Sequence, residues 1–374
     1  MKRILVIGGY GNFGQFICQQ LASHAQIQLI IAGRSAEKAQ RFARQLNAAN
    51  PAQAVALDIN TQIHESLQQV KPNIVIHTSG PFQNQSYGVA QACIDHQAHY
   101  IDLADGREFV AGIDQLDAAA KAKGVCIISG ASSVPCLTSA LVDAYQSEFS
   151  ELQSLDYGIT TAQKTTRGLA TTAAILSYTG KPFSTLIDGQ WQDIYGWQSL
   201  HARTYSSLGK RWLGNCNVPD LALFPQRYPQ LKTIRFYAGL ELPLIHFTLW
   251  ALSGLVRDGL VKHLEKAAPL LLKTAFLFDW FGSANSGFHM ELKGIGLNGQ
   301  PHTRLFELIA RDGDGPYIPC MPSILLALKL ANEHEPKNPS TSALHPGAQP
   351  CLGLISKEEY LAALAHMNIT WNAR

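Results

Sequence analysis

The chain is poor in the features that announce most function classes. Only 16% of its 374 residues are charged, and 30 Lys and Arg against 28 Asp and Glu leave a formal charge of +2. With no Lys/Arg-rich run, the footprint of a nucleic-acid binder is missing. Seven cysteines are scattered as Cys18, Cys93, Cys126, Cys136, Cys216, Cys320 and Cys351, never as a C-x-x-C pair. Several sit in apolar runs, where a thiol behaves as a small hydrophobe. Reduced structural thiols are therefore expected, and neither a disulfide scaffold nor a zinc site. No run reaches the roughly 20 apolar residues of a bilayer span. The apolar run after Met1-Lys2-Arg3 is short and ends in glycines, unlike a signal peptide, so a cytoplasmic location is expected. There is no G-x-S-x-G elbow and no H-E-x-x-H zinc pair. No metal ligands are assigned.

What is present begins at once. Ile4-Leu5-Val6-Ile7 runs into Gly8-Gly9-Tyr10-Gly11-Asn12-Phe13-Gly14. Gly9, Gly11 and Gly14 fit G-x-G-x-x-G, and from Gly8 the turn also reads G-x-x-G-x-x-G. Apolar runs at 3–8, 27–33, 54–58, 73–79, 99–103 and 125–129 read as buried parallel strands. Helical periodicity fills 13–24, 36–47, 85–96 and 107–123 between them. Repeated βα units of this size predict a sheet covered on both faces. A glycine turn between such a strand and helix predicts a dinucleotide site, with pyrophosphate at the helix N-terminus.

The second strand ends in Ala32-Gly33-Arg34-Ser35, where an NAD site would carry Asp or Glu. Arg34 offers a planar donor fork suited to a 2′-phosphate. Ser35 adds a hydroxyl and caps the next helix. NADP is the expected cofactor. Asp58 either hydrogen-bonds the adenine edge or caps the helix beyond it. The fourth strand leads into His77-Thr78-Ser79-Gly80-Pro81-Phe82, and Ser79, Gly80, Pro81 and Phe82 are expected to line the crevice, Phe82 as a wall or as core. On the fifth strand Tyr100 and Asp102 share one face. His77, Tyr100, Asp102 and Asp105 are the candidates for handling the proton of a hydride transfer, and Asp105 alternatively caps a helix. Arg167, before Gly168, is a candidate for a substrate carboxylate. Trp191, Tyr195 and Trp197 wall a pocket or pack in the core.

After Ser132 the pattern changes. A helix near 138–147, strands near 152–162 and 233–240, and a helix near 168–179 are expected. The Gly/Trp-rich stretch to about 220 is left without elements. An antiparallel pair at 287–296 and 303–311 joins through Asn298-Gly299. The apolar segment 242–278 reads as buried helices, with a surface docking on a membrane or partner as the alternative. A helix at 319–332, a loop at 335–350 and a last helix after Ser356 close the chain. The fold class is therefore α/β, a Rossmann-type parallel sheet domain (1–132), followed by an α+β domain with a mainly antiparallel sheet (133–318) and C-terminal helices (319–374).

The opening turn, Ala32 to Ser35, Ser79 to Phe82, Tyr100 to Leu103, Arg167-Gly168 and Arg311-Asp312-Gly313-Asp314-Gly315-Pro316-Tyr317 resemble the saccharopine dehydrogenase-like oxidoreductases. The resemblance implies NAD(P)-dependent oxidoreduction of a small molecule and C-terminal helices that pack back on the first domain. The middle domain would then serve substrate binding and admit a homodimer. The family pattern D-L-x-G-E is replaced here by Asp102-Leu103-Ala104-Asp105-Gly106. Two other readings stand beside this one: a nucleotide-binding regulatory or scaffold protein without turnover, and a membrane-associated reductase of a lipophilic substrate.

Overall fold

Runs such as Ile4 to Val6 and Leu29 to Ile31 are wholly buried, as strands covered on both faces must be. In the computed structural model, which describes residues 1–83, 85–331 and 344–374, they build a parallel sheet. Its strands are β1 (Lys2–Ile7), β2 (Ile27–Gly33), β3 (Gln53–Ala56), β4 (Ile74–His77), β5 (His99–Asp102) and β6 (Cys126–Ser129). Their order is β6-β5-β4-β1-β2-β3, with every neighbouring pair parallel. Leu5, Ile7, Val75, Tyr100 and Ile127 form one core face with Leu67, Val89, Cys93 and Ala120 from the covering helices. On the other face, helix Met321–Ala331 packs against β4, β5 and helix α1 (Asn12–Ala22).

Two differences from the sequence reading have local causes. Gly347–Pro350, expected as loop, is a seventh strand parallel to β6. It lies at the sheet edge, the place in a sheet that tolerates proline. The remainder of that loop at 335–343, and the expected helix end near Asn332, lie outside the described residues. The helix expected at 107–123 breaks at Gly112 into Arg107–Ala111, a 3₁₀ turn at Ile113–Leu116, and Asp117–Lys123.

The chain divides into two units, Met1–Leu137 with Tyr317–Tyr360, and Thr138–Pro316 with Leu361–Arg374. The second unit holds a mixed seven-stranded sheet in the order His201–Tyr205, Gly209–Asn215, Thr233–Leu240, Phe149–Thr161, Ser286–Gly296, Pro301–Ala310, Ile369–Ala373. Only Thr233–Leu240 and Phe149–Thr161 are parallel. The late hairpin pairs Ser286 with Ala310 through Ile295 with Pro301. The Gly/Trp-rich stretch, left without elements, forms four strands, two of them a separate hairpin of Pro182–Ile187 and Gln190–Tyr195. The segment 242–278 is only partly buried. Helix Pro243–Arg257 buries His246, Leu249 and Ser253, and helix Ala268–Phe276 buries Ala268, while Leu244, Leu270 and Leu277 are exposed. No helix among the described residues is long and apolar enough to cross a membrane.

Asp220 is fully buried in the second unit and accepts the Tyr157 hydroxyl at 3.0 Å. Burial pushes its pKa up to about 7, against the hydrogen bonds of Thr138 and Tyr157. The folded chain thus holds a proton that the unfolded chain releases near pH 4. The stability Asp220 contributes is complete below about pH 4 and is lost as pH rises towards about 7. Asp220→Asn is expected to remove this loss. Relative to the parent, the variant gains on the order of 2–4 kcal/mol between about pH 4 and 7.5. Urea unfolding at both pH values checks it, and a pH-independent difference contradicts it.

Candidate nucleotide site

β1 lies between β2 and β4, so the connections leaving β1 and β4 diverge to opposite sides. Ligands of open parallel sheets bind at this switch point, beyond the strand C-termini. The residues there are the turn Gly8–Gly14 after β1 and the segment Thr78–Phe82 after β4. Gly8 N–H and Gly9 N–H both bond to Ala32 O, at 2.9 and 3.0 Å, tying the turn to the end of β2.

Gly8 has φ +79°, a left-handed conformation that suits glycine. Gly14 answers a different need. A Cβ built there would lie 2.2 Å from Gly8 O and 2.7 Å from Gly9 Cα. The turn therefore closes on α1 only over a bare backbone. Helix α1 starts at Asn12 with Gly11 as its N-cap, no capping side chain and no acidic residue in the first turn. Its N-terminus keeps its positive dipole end uncompensated, as an anion site requires. Phe13 O lies 4.0 Å from the Cys320 thiol, and Phe16 stacks on Tyr317 at 4.4 Å, which anchors α1 from its other side.

At the end of β2, the Tyr10 ring lies against Gly33, where an added Cβ would sit 2.4 Å from the ring. The Tyr10 hydroxyl accepts Ser35 N–H at 2.9 Å. Ser35 Oγ in turn accepts Lys38 N–H at 3.3 Å and caps helix Ala36–Gln45. The backbone on both sides of Arg34 is thereby held. Arg34 itself is exposed and makes no ion pair or hydrogen bond with any described residue. Asp58 accepts the Asn60 backbone N–H at 3.0 Å within a turn and does not cap the helix beyond it, Ile63–Val70, whose N-cap is Gln62.

The segment after β4 meets the turn directly, since Thr78 Oγ1 and Ser79 Oγ would lie 2.5 and 2.8 Å from a Cβ on Gly8. Gln85 Nε2 donates to Ser79 O and Pro81 O at 2.7 and 3.0 Å and shapes the Gly80–Pro81 bend. Phe82 is buried against His77 and Phe109, so it packs as core.

The expected proton donors His77, Tyr100 and Asp102 are not presented at a surface. They are 1%, 0% and 0% exposed. His77 Nδ1 lies 3.1 Å from the Tyr100 hydroxyl, and burial drives the imidazole pKa down to about 3, so His77 is neutral. Burial, reinforced by the nearby Asp102 charge, raises the Tyr100 phenol well above its usual range. Asp102 is pushed up to about 6 by burial, against the backbone amides of Gly130 and Ala104 and the Ser129 hydroxyl. Its Oδ1 accepts Gly130 N–H at 2.8 Å, Ala104 N–H at 2.9 Å and the Ser129 hydroxyl at 3.0 Å. One carboxylate thus clamps the loops after β5 and β6. Ser129 and Gly130 were missed from the sequence, where the positive φ of Gly130 leaves only a glycine as its signal.

Asp105, by contrast, is exposed and accepts Gln83 Nε2 at 3.1 Å. It does not cap helix Arg107–Ala111, whose N-cap is Gly106. Arg167 belongs to the second unit, where it forms an ion pair with Asp279 and lies over the Phe276 ring at 4.5 Å. In this structure Arg167 is thus paired with a carboxylate of the chain itself. Trp191 and Tyr195 are exposed while Trp197 is buried beside His246, so the three do not form one wall.

Residues 4–128 match the family model of the saccharopine dehydrogenase NADP binding domain. The fold over 100% of this chain matches 100% of apo saccharopine dehydrogenase (L-Glu forming) from Saccharomyces cerevisiae, with a TM-score of 0.67 at 12% identity. A weaker likeness, TM-score 0.47 at 11% identity over 94% of each chain, is to amine dehydrogenase from Mycobacterium smegmatis. No curated protein matches the chain. Residues 4–128 thus carry a saccharopine dehydrogenase-type NADP binding domain, and over its full length the chain shares the fold of saccharopine dehydrogenase.

Proposed function

We propose that the chain is an NADP-dependent oxidoreductase acting on a C–N or C–O bond of a small or partly apolar molecule. One observation carries the cofactor preference. Arg34 stands exposed and unpaired at the end of β2, on a backbone held by Tyr10 and Ser35, where no carboxylate is present. When bound, the nicotinamide dinucleotide supplies or accepts the hydride. The chain's own share is positioning. The uncapped start of α1 and the Gly8–Gly14 backbone hold the pyrophosphate, Arg34 and Ser35 take the 2′-phosphate, and Ser79 to Pro81 border the crevice. Asp105 is the one exposed acid among the four proton-handling candidates. The burial of His77, Tyr100 and Asp102 favours, as a second reading, nucleotide binding without turnover.

Arg34→Ala tests the cofactor reading. Losing a charge-assisted fork to phosphate is worth about 2–3 kcal/mol, so the NADPH Kd rises about 30- to 160-fold while the NADH Kd hardly moves. An equal change for both nucleotides contradicts the role given to Arg34.

A further inference from the structure

The second unit carries an apolar projection that the nucleotide reading does not use. Trp280 is 87% exposed, Leu277 75% and Phe281 72%, close in the chain at the end of the helix Ala268–Phe276. Surface residues of this size are normally scattered singly. These sit on a rigid base. On one side, Asp279 is held by Arg167 and by Gln163 Nε2 at 2.9 Å. On the other, Glu241 accepts Ser283 N–H at 2.9 Å and the Ser283 hydroxyl at 2.6 Å. Trp280 and Phe281 lie between these two anchored points, in a short 3₁₀ turn at Asp279–Phe281. Polar anchors hold the turn in place, and its apolar side chains point outward.

The charges nearby select the occupant. Within 243–281 the acids Asp258, Glu265 and Asp279 each face a cationic or imidazole partner, Arg257, His263 and Arg167. Lys262, Lys266 and Lys273 are exposed and pair with no described residue. The segment therefore offers uncompensated positive charge, Lys273 one turn before Leu277 and Lys262 and Lys266 ahead of the N-terminus of the same helix. A second copy of this chain docking through a two-fold interface would bring the same lysines towards one another. A bilayer with anionic headgroups takes both features at once, with aromatic side chains in the headgroup boundary and ammonium groups on the phosphates.

We propose that the Leu277–Phe281 projection, with Lys262, Lys266 and Lys273, docks the protein peripherally on an anionic lipid surface. The proposal does not depend on the nucleotide reading. Full-length protein is sedimented with vesicles of phosphatidylcholine alone and of equimolar phosphatidylcholine and phosphatidylglycerol. Binding is expected to the mixed vesicles and to weaken with salt. The double variant Trp280→Ser, Phe281→Ser is expected to lose it by about tenfold or more, since it removes the two largest apolar side chains of the projection. The triple variant Lys262→Gln, Lys266→Gln, Lys273→Gln is expected to abolish the preference for the anionic vesicles. These positions are exposed, and an unchanged thermal transition verifies folding. The proposal is overturned if mixed vesicles fail to bind the parent chain, or if the Trp280/Phe281 variant binds equally well. It is also overturned if sedimentation velocity shows a dimer that this variant dissolves.

Discussion

Gly14→Val is expected to reduce NADPH binding by about two orders of magnitude, because it opens the backbone on which the phosphate site is built. The clash arises at the first atom added, with a Cβ 2.2 Å from Gly8 O and 2.7 Å from Gly9 Cα. Both neighbours are backbone, so no rotamer change relieves it. Either the turn lifts away from α1 or α1 moves outward. Lifting the turn loosens the Gly8 and Gly9 bonds to Ala32. Moving α1 disturbs its contacts at Phe13 and Phe16 with Cys320 and Tyr317. In both cases the backbone amides stop converging on one anion, and several charge-assisted hydrogen bonds are lost together. Fluorescence titration gives the affinity, and thermal unfolding of the free protein shows how much of the loss reflects folding. NADPH binding within threefold of the parent would mean that the turn is not the phosphate site.

Asp102→Ala should produce the largest loss of stability, about 3–5 kcal/mol out of the 5–15 usual for a domain. Removing the carboxylate strands the buried N–H groups of Gly130 and Ala104 and the Ser129 hydroxyl, each costing about 1–3 kcal/mol. Asp102→Asn keeps an acceptor for these donors and should cost much less. Its cost should also shrink as pH rises. The folded Asp102 carboxyl titrates near 6, above its unfolded value, so its contribution is full below about pH 4 and is lost by about pH 6. Denaturant unfolding of the three proteins checks the order. If Asp102→Ala costs less than about 1 kcal/mol, the clamp is not structural.

How much of this was legible in the sequence follows from the range of each interaction. β1 to β6 were readable because the central strands are buried on both faces and therefore largely apolar, as Ile4 to Ile7 and Leu29 to Ala32 are. The edge strand Gly347–Pro350 was not, because it reads Gly-Ala-Gln-Pro and is defined only by its pairing with β6 more than 200 residues away. Of the strands between 182 and 215, Gln190–Tyr195 is mostly exposed and the others mix exposed and buried positions, so none shows a continuous apolar run. In the site, the glycine turn and Arg34 are local and could be read directly. The Tyr10 contact with Gly33 and the Asp102 clamp on Gly130 span 23 and 28 residues, and only the folded sheet brings them together. Burial of His77 and Tyr100 was equally hidden, since alternation gives the face of a strand but not the depth of its cover.

The central claim is that the turn after β1 and Arg34 after β2 form one NADP site. Calorimetric titration of the unmodified protein with NADPH and with NADH tests it most directly. Saturable one-site binding of NADPH is expected, tighter than NADH by about 30-fold or more, the worth of one charge-assisted phosphate contact. Equal affinity, a preference for NADH, or no binding of either nucleotide would contradict it.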